Sequence, residues 1–139
     1  MVVLMNTSPK QKRYSDLPVM DKVNVIADWL KEHKAGELTI LDLRERSTFT
    51  DVMLVATATS VRHAQSLADG VNKLCGENSY EYLGMDGYNV GKWILVDCND
   101  FIVHIFQEDT RSQYDLERLW SNPKGKAGMQ AMAEEIVEE

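Results

Sequence analysis

With 139 residues, 44% of them hydrophobic and 27% charged, the chain has the size and composition of one globular domain, and this excludes a disordered polymer. Its net charge of −7 is unevenly placed: residues 1–16 carry +2, residues 121–139 carry −2, and the middle holds −7. An acidic body argues against tight binding to a phosphate backbone, which Lys and Arg neutralisation drives, and suits a basic protein partner.

Residues 1–16 read as a flexible leader, since MVVLM lacks the basic flank and longer apolar run of a signal peptide. A helix is expected from near Asp16, with Ser15 or Asp16 as its cap and Pro18 in its first turn. Val19, Val23, Ile26, Ala27 and Leu30 recur at helical spacing and form one buried stripe. Lys31, His33 and Lys34 suit the negative end of the helix dipole and Gly36 ends it, which makes His33 a surface residue rather than a ligand. Residues 38–43 (LTILDL) and 52–58 (VMLVATA) read as strands, and the polar link between them favours an antiparallel pair. Ser60 caps a second helix with Ala64, Leu67, Ala68, Val71 and Leu74 inward, and a strand near residues 80–83 completes a βαβ crossover.

Residues 93–98 and 101–106 are rich in β-branched and aromatic side chains and are separated by Asn99 and Asp100, two residues that tolerate the positive φ of a type I′ turn. A two-residue turn fixes the register. Cys98 lies opposite Phe101, Val96 opposite Val103 and Ile94 opposite Ile105, a wholly apolar core face. The other face pairs Asp97 with Ile102, Leu95 with His104 and Trp93 with Phe106, placing Asp97 and His104 as diagonal neighbours roughly 7 Å apart. Two readings of this face stand side by side. In one, helices cover the sheet on both sides and Asp97 and His104 form a satisfied buried pair. In the other, Trp93, Leu95 and Phe106 anchor a partly exposed patch that meets another macromolecule.

A third helix is expected from Thr110, with Gln113 completing a capping box and Leu116, Leu119 and Trp120 as its apolar edge, stopped by Asn122 and Pro123. Residues 122–139 read as a mobile tail. The order α-β-β-α-β-β-β-α defines an α/β fold with a mixed, roughly five-stranded sheet and three main helices. The domain itself spans residues 17–121.

Catalytic signatures are missing from the sequence. Gly84, Gly87 and Gly91 lead into a strand rather than a helix, so they form no phosphate loop. No GxSxG elbow and no HExxH pair is present. Asp42, Asp51, Asp86 and Asp97 lie near strand ends, but a nucleotidyl transferase needs two acids one residue apart on a strand after a Gly-Ser turn to hold its metal ions, and no such pair occurs. Asp97 and His104 resemble an acid–base dyad without a visible nucleophile. Cys75 and Cys98 fall on core positions, as reduced buried thiols of a cytosolic protein, too few for a disulfide scaffold or a zinc site. No apolar run approaches the roughly 20 residues of a membrane span.

Residues 48–71 (TFTDVMLVATATSVRHAQSLADGV) and 84–120 (GMDGYNVGKWILVDCNDFIVHIFQEDTRSQYDLERLW) resemble the ribosomal silencing factor family, also called RsfS or Iojap-related. The features are the strand opened by Asp51, the TSVRH helix entry, the strand from Trp93 to Asp97, the VHIFQE strand and the RSQYDLERLW segment. Asp86-Gly87 stands where the family usually has Glu-Gly, and Asn99 where Gly is more frequent. The resemblance implies a nucleotidyltransferase-like fold without the catalytic motif, no enzymatic activity and no cofactor or metal. It implies a cytoplasmic translational repressor that binds the large ribosomal subunit, through the ribosomal protein numbered fourteen, and blocks joining of the small subunit when nutrients are short. A role in subunit maturation is implied as well. Carried onto this chain, partner contacts fall on Trp93, Leu95, Asp86 and Asp97, with His104 and Phe106 on the same face. This favours the interface reading of that face, without membrane or sequence-specific nucleic-acid binding. Two other readings remain: a metal-dependent nucleotide-handling enzyme using Asp97 and His104, and a homodimer through the same apolar face.

Overall fold

The computed structural model describes residues 14–44 and 51–113. In chain order the elements are helix α1 (Val19–Glu32), strands β1 (Gly36–Asp42) and β2 (Val52–Ala58), helix α2 (Val61–Asn78), strands β3 (Gly84–Asp86), β4 (Trp93–Asp97) and β5 (Phe101–Gln107), and helix α3 (Glu108–Gln113). The mixed five-stranded sheet and three helices are those expected from the sequence.

The sheet order is β1-β2-β5-β4-β3. β2 and β5 run parallel at the centre, and every other neighbouring pair is antiparallel. All seven residues of β2 are buried, as a strand with neighbours on both edges and cover on both faces requires. The expected hairpin register holds residue for residue, with Ile94 opposite Ile105 and Val96 opposite Val103. These side chains, with Val52, Leu54, Ala56, Phe101 and Cys98, meet Val23, Ile26 and Leu30 of α1 and Leu67, Ala68 and Val71 of α2 in one core.

Several local expectations are corrected. α1 begins at Val19 rather than near Asp16, with Pro18 at its N-cap and no side-chain cap bond. The residue before a proline is pushed away from helical angles, so Leu17 cannot open the helix, and the Ser15 hydroxyl is spent on the Leu17 N–H at 3.2 Å. At the far end Lys34, with φ of 70°, takes the left-handed position, which leaves Gly36 to open β1. His33 is exposed as expected, and its Nδ1 lies 2.8 Å from the Trp29 carbonyl. In α2 the Ser60 cap is confirmed, its hydroxyl accepting from the His63 N–H at 3.0 Å. Leu74 is only half-buried, and Cys75 completes the inward stripe.

The strand expected at residues 80–83 lies instead at Gly84–Asp86. Ser79 closes α2 in a left-handed turn, and Tyr80 then drops its ring into the core, so ladder pairing starts only after Leu83 N–H reaches the Asp97 carbonyl at 2.8 Å. The crossover itself is present, but it carries the chain past two strand positions to the far edge, and the β4–β5 hairpin fills the gap. In the hairpin turn only Asn99 has positive φ (71°), so the turn is not type I′. Asp97 Oδ1 accepts from the Asn99 N–H at 3.0 Å, and Asp100 is held by Lys22 of α1 in an ion pair of 3.0 Å. α3 starts at Glu108 rather than Thr110, and the expected apolar edge at Leu116, Leu119 and Trp120 lies outside the described residues.

Candidate partner-binding surface

Period-two alternation divides the sheet. The face away from α1 and α2 bears Met53, Val55 and Thr57 of β2, Trp93, Leu95 and Asp97 of β4, and Ile102, His104 and Phe106 of β5. Register places them in cross-sheet rows. Thr39, Val55, His104, Leu95 and Asp86 form one row, and Thr57, Phe106 and Trp93 form the next. His104 therefore stands at the middle of the sheet, with an aliphatic side chain on either side.

All six expected contact residues share this face, yet they differ in exposure. Trp93 and Phe106 are 0% exposed and Leu95 and His104 1%, whereas Asp86 is exposed and Asp97 half-buried. The expectation of a partly exposed aromatic anchor is thus corrected: in the isolated chain the apolar members lie inside, and the acids stand at the edge. The expected Asp97–His104 pair is also absent. Trp93 Nε1–H donates to His104 Nδ1 at 2.8 Å, while Asp97 turns to the Asn99 backbone. Accepting on Nδ1 places the neutral ring's proton on Nε2. The rings stack as well, with Trp93 and Phe106 centroids 4.6 Å apart and His104 and Phe106 6.2 Å apart. Burial pushes the His104 pKa down to about 3, so the ring is neutral at physiological pH.

Sequence reasoning missed the cluster at the β1 end of this face. β1 bulges between Gly36 and Thr39, and Glu37 takes a φ of 44°. From α3, Arg111 donates to the Glu37 carbonyl freed by that bulge, to Thr57 Oγ1 at 2.7 Å and to Thr39 Oγ1 at 3.0 Å. One planar fork thus ties three segments together. Its position was visible in the sequence, but no spacing rule links Arg111 to a bulge 74 residues earlier.

The loop leading into β4 is fixed from behind. Tyr88 donates its hydroxyl proton to Asp69 of α2 at 2.9 Å, and Gln65 donates to the Tyr88 carbonyl at 2.8 Å. Gly91 adopts φ of 74°, and a Cβ there would stand 2.6 Å from Val61 Cγ1. Gly91 thus serves both a close backbone approach and a turn. Among the described residues no group of three or more His, Cys, Asp or Glu side chains is placed to hold a metal ion. Among them, too, no helix is long and apolar enough to cross a membrane.

The fold and this acid-edged sheet face define a small α/β protein built on a mixed five-stranded sheet. A profile described as "Ribosomal silencing factor during starvation" matches residues 17–138, and the chain belongs to that family. A ribosomal silencing factor from Haemophilus influenzae is 36% identical over 102 residues, covering 73% of this chain and all of the relative. A mouse relative named "Mitochondrial assembly of ribosomal large subunit protein 1" is 22% identical over 71% of this chain and 45% of its own length. A crystal structure of a Chromobacterium violaceum protein superposes with a TM-score of 0.72 at 28% identity, covering 79% of this chain and 92% of that one.

Proposed function

We propose that the chain binds the large ribosomal subunit in the cytoplasm, through the ribosomal protein numbered fourteen, and prevents the small subunit from joining, so that translation falls when nutrients are short. The observation that carries this reading is membership of the silencing family over residues 17–138. The mouse relative's name, which ties that protein to large-subunit assembly, supports the choice of subunit. The contact surface is the β3–β4 end of the sheet. Asp86 and Asp97 face basic groups of the partner, and Trp93, Leu95, His104 and Phe106 form the apolar bed beneath them. The acidic middle of the chain, at −7, speeds encounter with a basic protein. The action is steric and needs no chemistry.

The test is subunit joining on sucrose gradients. Purified large subunits are preincubated with the protein or with Asp86→Lys before small subunits are added. The wild type is expected to comigrate with large subunits and to suppress joined ribosomes, with Asp86→Lys weaker in both. Normal joining with nothing comigrating overturns the function; equal activity of the two proteins overturns the surface.

A further inference from the structure

Cys75, in the last turns of α2, and Cys98, just after β4, are separated by 23 residues and meet only in the fold, with their sulfurs 3.6 Å apart. Both are free and buried. The pair lies beneath a polar cluster. Lys22 makes its ion pair with Asp100 and stands 5.9 Å from the Tyr80 ring centre, while the Tyr80 N–H donates to the Cys75 carbonyl at 2.8 Å. The two sulfurs thus meet at a distance from which side-chain rotation can close a disulfide.

We propose that Cys75 and Cys98 are a dithiol that hydroperoxides oxidise to an intramolecular disulfide, reversibly tying the end of α2 to the β4–β5 turn. The proposal stands independently of ribosome binding. Cys75 is the attacking sulfur, because it lies in the last turn of α2 beside the exposed Gly76, where opening reaches it first. Its contact with the Cys98 sulfur holds its pKa below the usual thiol range, with the Lys22 ammonium acting in the same direction against burial and Asp100. Cys98 is pushed up, first by its bond to Cys75 and then by burial, and suits the resolving role.

The steps balance. The Cys75 sulfur attacks one peroxide oxygen, the O–O bond breaks, and the departing oxygen leaves as water (from hydrogen peroxide) with the thiol proton, giving a sulfenic acid. The Cys98 sulfur then attacks the Cys75 sulfur. The S–O bond breaks and the hydroxyl leaves as a second water with the Cys98 proton. Two electrons pass from the thiols to the peroxide, and a dithiol reductant returns them by exchange. Closing the contact to a bond length of about 2.05 Å asks for side-chain rotation at a site where the two sulfurs already face each other. Access comes from opening of the last helical turn. Cys75 lies four residues before the left-handed Ser79 cap, and its neighbour Gly76 is exposed, with nothing within 4 Å of the space a Cβ would fill.

Cleavage after Lys73, Lys92 and Arg111 puts the two cysteines on different tryptic peptides, 74–92 and 93–111. The full chain, reduced and desalted, is treated with a small excess of hydrogen peroxide, unfolded in alkylating agent and digested. The expected result is a linked 74–92/93–111 product that dithiothreitol abolishes, together with a raised thermal midpoint before reduction. In Cys98→Ala the link is expected to be lost and dimedone to label Cys75. Complete alkylation of both cysteines after peroxide, over-oxidised Cys75 without the link, or a link only between two copies would each overturn the proposal. Mapping of the wild type decides the question whether or not Cys98→Ala folds.

Discussion

Trp93 and His104 are joined by a hydrogen bond of 2.8 Å between an indole N–H and an imidazole nitrogen, on neighbouring strands and with both side chains fully inside the protein. The bond satisfies two polar atoms that would otherwise be stranded in an apolar layer. It also fixes the protonation state of the histidine, because a charged ring would present an N–H to the indole donor. Several consequences for stability follow from this contact and its neighbours.

His104 makes the fold sensitive to mild acid. Its folded pKa, pushed down to about 3, lies below the unfolded value near 6.5. Above about pH 6.5 both states are neutral and the group contributes no pH dependence. Below that the unfolded chain takes up the proton first, so stability falls with pH until about 3, by up to about 1.4 kcal/mol per unit from this group. His104→Gln keeps an acceptor for the indole and removes the titration. Urea midpoints at about pH 7 and about pH 5 are expected to drop more for the wild type than for His104→Gln; equal drops would disprove the assignment.

Trp93→Phe tests the bond apart from the ring. Phenylalanine preserves stacking on Phe106 but leaves the His104 nitrogen without its donor, at an expected cost of about 1–3 kcal/mol. Trp93→Ala removes both and is expected to cost about 3–5 kcal/mol, so any loss of the proposed ribosome binding in this variant would report unfolding unless circular dichroism shows native structure. A denaturation curve for Trp93→Phe that overlays the wild type would show that the bond adds nothing.

At Gly70 a Cβ would stand 1.8 Å from the Trp29 ring, far inside contact distance. Alanine raises helix propensity, yet here it must push the indole out of its slot between α1 and α2. Gly70→Ala is expected to lose about 1–3 kcal/mol where an exposed helical glycine would gain. Thermal unfolding of the single variant decides the sign.

Arg111→Lys replaces a fork by a point charge. Lysine cannot span the Glu37 carbonyl and the hydroxyls of Thr57 and Thr39 together. A loss of about 1–2 kcal/mol is expected, with amide exchange accelerated in β1 before the rest of the sheet. Uniform exchange across the sheet would contradict the local role.

Asp86 sits at the exposed end of the row that begins at Thr39, and under the proposed docking to the large subunit its reversal is expected to weaken binding by about 1 kcal/mol or more, mainly through slower association. The effect should shrink as salt rises. Stopped-flow association with labelled subunits at two ionic strengths checks both statements.

Much of this molecule was legible in the chain. Period-two alternation in the hairpin, with a two-residue turn, dictated which side chains share a face, and the structure reproduces each pair. The Ser60 cap and the apolar stripes of α1 and α2 were equally local signals. What alternation does not carry is depth. It sorts Trp93 and Asp86 onto one face without telling that one is enclosed and the other is not. Nor does composition show that His104 would pair with an indole rather than with Asp97, whose Oδ1 accepts from the Asn99 N–H. The position of β3 was lost because Tyr80 and Tyr82 read as strand residues, whereas Tyr80 drops into the core and Tyr82 packs on its margin while the chain crosses to the far edge.

The parallel pairing of β2 with β5 also sets an order of assembly. Val52 finds its partner at Phe101 and Ala58 at Gln107, so the middle of the sheet waits for residues made roughly 50 positions later. Until then β2, enclosed at every position in the finished protein, has β1 on one edge and no strand on the other. During synthesis the chain cannot close its own centre until the hairpin has emerged, and a product released before residue 101 would carry an aggregation-prone edge instead of a domain.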